Sequence, residues 1–158
     1  MSGDIMTYNL LKLPKRMIMG VVYQGENDTR AMAAIWETFY DRIGEIKHIA
    51  DEKVFYGIGE PYEEGEVFSY MAGVEVNAIE EVPEGMQVWY LNHQDYLVVV
   101  QDLKEQKTLA QGFNEIYGEL LEELGLWATE DYDYELYTEE FYNEEPGKVY
   151  LHVPVTRK

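Results

Sequence analysis

The sequence predicts an α+β fold in which one strand-helix-strand-strand unit is used twice, with two helices on one face of a mainly antiparallel sheet. Three observations predict it. First, segments recur. Val21-Val22-Tyr23-Gln24 matches Val98-Val99-Val100-Gln101 at an offset of 77 positions, and Trp36, Phe39, Tyr40 and Ile43 meet Phe113, Ile116, Tyr117 and Leu120 at the same offset. Further on, Gly65-Glu66-Val67-Phe68 matches Gly147-Lys148-Val149-Tyr150 at an offset of 82. Second, each half carries one apolar stripe at helical spacing. Third, Val149, Leu151, Val153 and Val155 alternate strictly, as a half-buried strand does. The chain of 158 residues is then one domain with pseudo-repeats over about 8–82 and 83–158. Two such units meet across a pseudo-twofold axis, and the seam between the halves is the expected place for a pocket.

The elements follow in order. From about Tyr8 to Tyr23 the chain is extended, with a break at Pro14, which cannot donate to a ladder. Gly25-Glu26-Asn27-Asp28 turns, and Asn27 or Asp28 caps a helix starting near Thr29. Ala31, Ile35, Phe39 and Ile43 form its stripe, widened by Met32, Trp36 and Tyr40. Val54 to Ile58 is a short strand, Gly59 to Gly65 a polar connection and Val67 to Val76 a longer strand. Val82-Pro83-Glu84-Gly85 joins the halves. Met86–Leu91 and Tyr96–Gln101 are strands separated by Asn92-His93-Gln94-Asp95, a bulge or a tight turn. Leu109, Phe113, Ile116, Tyr117, Leu120, Leu121 and Leu124 give the second helix, ended by Gly125 in a left-handed cap. Tyr132 to Phe141 is a strand candidate, and Asn143 to Gly147 turns into the last strand.

Composition narrows the function. The net charge of −19 repels phosphates, which argues against direct nucleic-acid binding and favours cations or basic partners. Without cysteine there is no disulfide, thiolate metal site or cysteine nucleophile. No apolar run approaches the roughly 18–20 residues of a membrane span, and the N-terminus lacks a signal-peptide pattern, so the cytoplasm is the expected compartment. The 14 tyrosines suit both sheet surfaces and small-molecule pockets.

Alternation assigns faces. The apolar set Val149 to Val155 should face the helices, leaving Tyr150 and His152 on the open face. The repeat puts Phe68 and Tyr70 there too. On the strand after the second helix, Tyr134 and Leu136 suit the helix side, so Glu135 and Tyr137 should look outward beside Tyr70. A carboxylate among rings has a use. A cation over an aromatic face gains about 0.5–2 kcal/mol. A carboxylate at about 4 Å adds roughly 4 kcal/mol at an effective dielectric near 20, before desolvation. Against this stands the plain alternative that Glu135 is one of 31 acids and faces water.

The segments Gly65 to Val76, Val82 to Met86, Gln94 to Val99, Asp133-Tyr134-Glu135-Leu136-Tyr137 and Val149 to Val155 resemble, in order, the GyrI-like, AraC-type effector-binding domains, and the chain is similar to the integron-associated members of that group. The resemblance implies a ligand pocket between the halves for lipophilic, often cationic compounds. It implies Glu135 as the anionic partner, Tyr70, Tyr96 and Tyr137 as pocket aromatics, and Trp36 and Trp89 as wall candidates. Phe68 and His152 join them on the face argument. Many relatives carry a preceding helix-turn-helix domain. This sequence has none, so the expectation is a stand-alone binding protein.

Two other functions compete. Glu135 with Tyr96 or Tyr137 could open electrophilic small molecules by acid–base catalysis, as hydrolases similar to this group do. An acidic surface, including Glu63, Glu64 and Glu66, could engage a basic protein, as gyrase-inhibitor-like proteins do. Metal binding finds no support, since His48, His93 and His152 are dispersed. Ser2 and Ser69 lack a nucleophile elbow. Neither a catalytic residue nor a cofactor is assigned.

Overall fold

The computed structural model describes residues 7–60, 67–143 and 147–158. Most of the polar connection after Gly59, the Glu63, Glu64 and Glu66 cluster, and positions 144–146 of the last turn lie outside the described residues. The first half contains β1 (Thr7–Leu13), β2 (Arg16–Gly25), α1 (Thr29–Arg42), β3 (Phe55–Gly59) and β4 (Phe68–Val76). The second contains β5 (Met86–Leu91), β6 (Gln94–Asp102), α2 (Leu109–Glu115), β7 (Leu126–Ala128), β8 (Asp133–Tyr137) and β9 (Lys148–Arg157). Helix α2 runs on through a π-helical turn, Ile116–Leu120, into α3 (Leu121–Glu123), and α4 (Glu139–Tyr142) follows β8. Among the described residues no helix is long and apolar enough to cross a membrane.

Local chemistry sets the boundaries. The Asp28 carboxylate accepts from the Arg30 amide at 2.9 Å and starts α1. Thr108 and Gln111 form a reciprocal capping box at the start of α2. The buried Gln101 amide donates to the carbonyls of Lys107 and Thr108 at 2.9 and 3.0 Å, tying that helix start to β6. Gly125, at φ +69°, ends the second helical run in the left-handed region.

The antiparallel sheet has the order β1-β6-β9-β8-β3-β4-β2-β5, with β7 also on β9. The units β2-α1-β3-β4 and β6-α2-β8-β9 are related across the β3–β8 pair. That pair runs from Phe55↔Tyr137 to Gly59↔Asp133 and has Gly57↔Glu135 at its centre. The leading strands are exchanged: β1 pairs with β6 of the second unit, and β5 with β2 of the first.

Three buried clusters make the core. Beneath α1 lie Met19, Val21, Phe39, Phe55, Ala72 and Val74. Beneath α2 and α3 lie Leu97, Val99, Ile116, Leu121, Leu151 and Val153. The third covers the other side of the sheet, with Ile18, Tyr56, Ile58, Met71, Trp89, Tyr96 and Tyr134.

The structure corrects the sequence reading in four places. Leu126–Ala128 is a strand, too short to show alternation. The predicted strand from Tyr132 to Phe141 stops at Tyr137, because the Thr138 side chain accepts from the Glu140 amide and caps α4. Asn92 and His93 form a corner between β5, which pairs with β2, and β6, which pairs with β1 and β9. Finally, both repeat offsets slip by an odd number of residues: the ladders set Val21 and Ala72 in the places that Val99 and Leu151 hold in the second unit, offsets of 78 and 79 rather than 77 and 82. Val21 packs under α1, whereas Val98 packs in the third cluster with Tyr96. Such a slip moves a whole strand's side chains to the opposite face.

Candidate functional site

The parity of β8 decides where its side chains go. Tyr134 belongs to the third cluster, on the face away from the helices, and Leu136 packs against it. Tyr137 packs against both helix-side clusters. The outward placement expected for Glu135 and Tyr137 is therefore reversed: they point to the helix side, over the seam. Phe68 and Tyr70 on β4 share that face, while Tyr150 and His152 do not. Both faces of the sheet are covered by apolar residues, so apolarity alone does not tell them apart.

Between the starts of α1 and α2 lies a cavity of about 430 Å³. Met32 and Trp36 of α1 line one wall, Leu109 and Phe113 of α2 another, and Phe68 and Tyr70 of β4 a third. Gly57, Gly59, Asp133, Glu135 and Tyr137 contribute from the strands on the axis. A smaller hollow of about 230 Å³ is lined by Trp36, Tyr40, Tyr137 and Phe141. The Trp36 and Tyr137 rings, shared by both, meet edge to face at 5.3 Å.

The polar groups form a short chain. The Trp36 indole N–H donates to the Tyr70 hydroxyl at 3.1 Å. The Tyr70 hydroxyl donates to Glu135 Oε1 in a close contact, and Tyr137 also hydrogen-bonds this carboxylate. Burial pushes the Glu135 carboxyl up to about 7, although both phenols favour the ionised form. Burial and the adjacent Glu135 hold the Tyr70 and Tyr137 hydroxyls well above the ordinary phenol range. Gly57 makes the arrangement possible. A Cβ there would collide with the Tyr70 hydroxyl and stand 2.8 Å from Glu135 Cγ.

Of the residues singled out from sequence, the fold brings Glu135, Tyr70, Tyr137, Trp36 and Phe68 together around this cavity. Tyr96, Trp89 and His152 lie elsewhere. Tyr96 is fully buried in the third cluster, and Trp89 stacks on Tyr132 at 5.0 Å in the same cluster. His152 stacks on Tyr134 at 4.3 Å, and burial pulls its imidazole down to about 3, so it is neutral. The Tyr56, Tyr96 and Tyr134 rings flank Arg16, which donates to the Tyr134 hydroxyl at 2.7 Å and lies over the Tyr96 ring at 5.5 Å.

The sequence reading missed Asp133, Met32 and Phe113 as lining residues. Asp133 had a signal: it lies two residues before Glu135 on one strand and so shares its face. Its carboxylate accepts from the Tyr117 hydroxyl at 2.7 Å, and burial pushes it above the usual range. Among the described residues, no Lys or Arg forms an ion pair with Asp133 or Glu135.

Comparison with known proteins places this geometry. The family model for Cass2, the integron-associated effector binding protein, matches residues 9–155. The transcriptional regulator BrlR of Pseudomonas aeruginosa is 32% identical over 148 residues, which cover 92% of this chain and 54% of that one. This chain thus spans about half the length of that relative. The integron cassette protein VCH_CASS2 from the mobile metagenome of Vibrio cholerae superimposes with a TM-score of 0.65 at 15% identity, over 94% of this chain and 95% of that one. SAV2435, solved with tetraphenylphosphonium bound, superimposes with a TM-score of 0.73 at 19% identity, over 96% of this chain and 94% of the other. At these identities the two structural likenesses are likenesses of fold.

Proposed function

The chain belongs to the integron-associated effector-binding protein family, and from that premise we propose that it binds lipophilic cations in the seam cavity. Glu135 supplies the charge. Tyr70, Tyr137, Trp36 and Phe68 supply the rings. The observation that carries the reading is a carboxylate with no Lys or Arg partner among the described residues, enclosed by aromatic walls on the axis. An ion so placed is costly when alone, and a cation that is itself weakly hydrated offsets that cost. The bulky rings leave no dense hydrogen-bond pattern, which suits recognition by charge and shape. The tetraphenylphosphonium bound to SAV2435 is of this chemical class.

Calorimetric titration with tetraphenylphosphonium and its near-isosteric anion tetraphenylborate tests the proposal. In about 0.5 M salt the long-range field of the acidic surface is screened, so the remaining preference reports the cavity. The cation is expected to bind at least about tenfold more tightly, a difference of about 1.4 kcal/mol. Equal affinities would remove the electrostatic basis of the reading.

A second reading, hydrolysis of an electrophilic small molecule, is favoured by the Tyr70–Glu135 contact and the carboxyl near 7, since a base poised there can take a proton at neutral pH. It requires turnover. Mass spectrometry of incubations with strained or ester-like electrophiles should then reveal products that vanish with Glu135→Gln.

A further inference from the structure

We propose that the cavity holds a second anionic anchor, Asp133, and that the ligand class it selects is a flat dication with positive centres about 7 Å apart. The proposal rests on the cation-binding reading above and refines it.

The site is built twice along β3 and β8. In the first unit Glu135 stands opposite Gly57 in the strand register, and a Cβ on Gly57 would meet Glu135 and the Tyr70 hydroxyl. In the second unit Asp133 stands opposite Gly59, and a Cβ on Gly59 would meet Asp133 Oδ1 at 3.7 Å and the Phe68 ring at 3.6 Å. Each unit therefore combines a glycine floor, a carboxylate and an aromatic ring. The two are separated by two residues of strand, about 7 Å at roughly 3.3 Å per residue. The Phe68 and Tyr70 rings are stacked, with centroids 6.4 Å apart. Together they give the cavity an aromatic wall beside the two carboxylates.

Asp133 is also held from the helix side. Tyr117, whose hydroxyl donates to it, sits in the π-helical turn Ile116–Leu120. Such turns shift side chains away from the regular α-helical positions and recur at functional sites. Two carboxylates at this spacing repel one another in a poorly solvated cavity. A monocation relieves one of them, and a dication relieves both.

Methyl viologen and N-methyl-4-phenylpyridinium have the same two-ring outline, with two charges and one. Calorimetric titration of both against the wild-type protein, Asp133→Asn, Tyr117→Phe and Glu135→Gln tests the proposal. Methyl viologen is expected to bind the wild type more tightly than the monocation. Asp133→Asn should weaken the dication at least about tenfold and the monocation less than about threefold. Tyr117→Phe leaves the charge but removes its hydrogen bond, and should weaken the dication alone by about threefold. It also keeps the test open if Asp133→Asn does not fold. Glu135→Gln should weaken both probes. A wild type that does not prefer the dication overturns the second anchor, as does an Asp133→Asn loss that is absent or equal for both probes. If Glu135→Gln also leaves both probes unaffected, the underlying cation reading fails with it.

Discussion

Replacing Glu135 by glutamine should abolish a pH dependence expected of the wild-type protein: affinity for tetraphenylphosphonium rising about tenfold between pH 6 and pH 8. The carboxyl titrates near 7 in the folded protein, so about a tenth of it is ionised at pH 6 and about nine-tenths at pH 8. The apparent dissociation constant scales inversely with the binding-competent fraction. The same shift acts on stability with a definite sign. The folded-state value lies above the ordinary carboxyl value of 4.5, so between pH 4.5 and about 7 the folded protein holds a proton that the unfolded chain releases. Stability therefore falls as pH rises through that window, by roughly 2–3 kcal/mol from this group. Glutamine carries no charge to bury. At pH 8 Glu135→Gln should be more stable than the wild type by about 2 kcal/mol in urea unfolding, with the gap closing near pH 4.5, while binding the cation at least about tenfold more weakly. A wild-type affinity that is flat from pH 6 to pH 8 would show that the cavity carboxylate is not the cation's partner.

Gly57→Ala should damage binding through shape alone. Gly57 has negative φ, and alanine in a strand interior would otherwise gain about 0.5–1 kcal/mol over glycine. Here the added methyl collides with the Tyr70 hydroxyl and lies 2.5 Å from Glu135 Oε1. Glu135 can swing aside, but Tyr70 is tied to Trp36 by the indole hydrogen bond and stacked on Phe68. The phenol–carboxylate contact must break or the strand must shift. We expect a loss of about 1–3 kcal/mol in stability and at least about tenfold in tetraphenylphosphonium affinity. Gly44→Ala is the control, since nothing lies within 4 Å of its added methyl. Wild-type affinity in Gly57→Ala would mean that the ligand does not depend on the Tyr70–Glu135 contact.

The period of each element was legible in the sequence, but its phase against the rest of the sheet was not. The α1 stripe and the alternation of β9 depend on local spacing, and both elements form as their spacing predicts. Phase is a tertiary property. Tyr134 and Leu136 looked like residues that pack under a helix, yet they pack in the aromatic cluster around Arg16 on the far face. The pairing of Glu135 with Tyr137 on one face was readable from β8 alone. Their position under the helices, beside Trp36, required the register of β3 against β8. The separation of Tyr96, Trp89 and His152 from this group has the same origin. Asp133 was within reach of the same alternation that singled out Glu135, and was passed over as one more acid in an acidic chain.

The exchange of β1 and β5 makes the molecule two interlocked hands rather than two touching ones. Neither hand closes without a finger from the other, so prising the halves apart would unpair both outer strands. The hollow on the axis is accordingly closer to a subunit junction than to a cleft within one body. An arrangement of strict symmetry would set glutamate against glutamate at that junction and fill it. By facing its glutamate with a glycine, the chain breaks the symmetry on the axis and leaves room there for a guest.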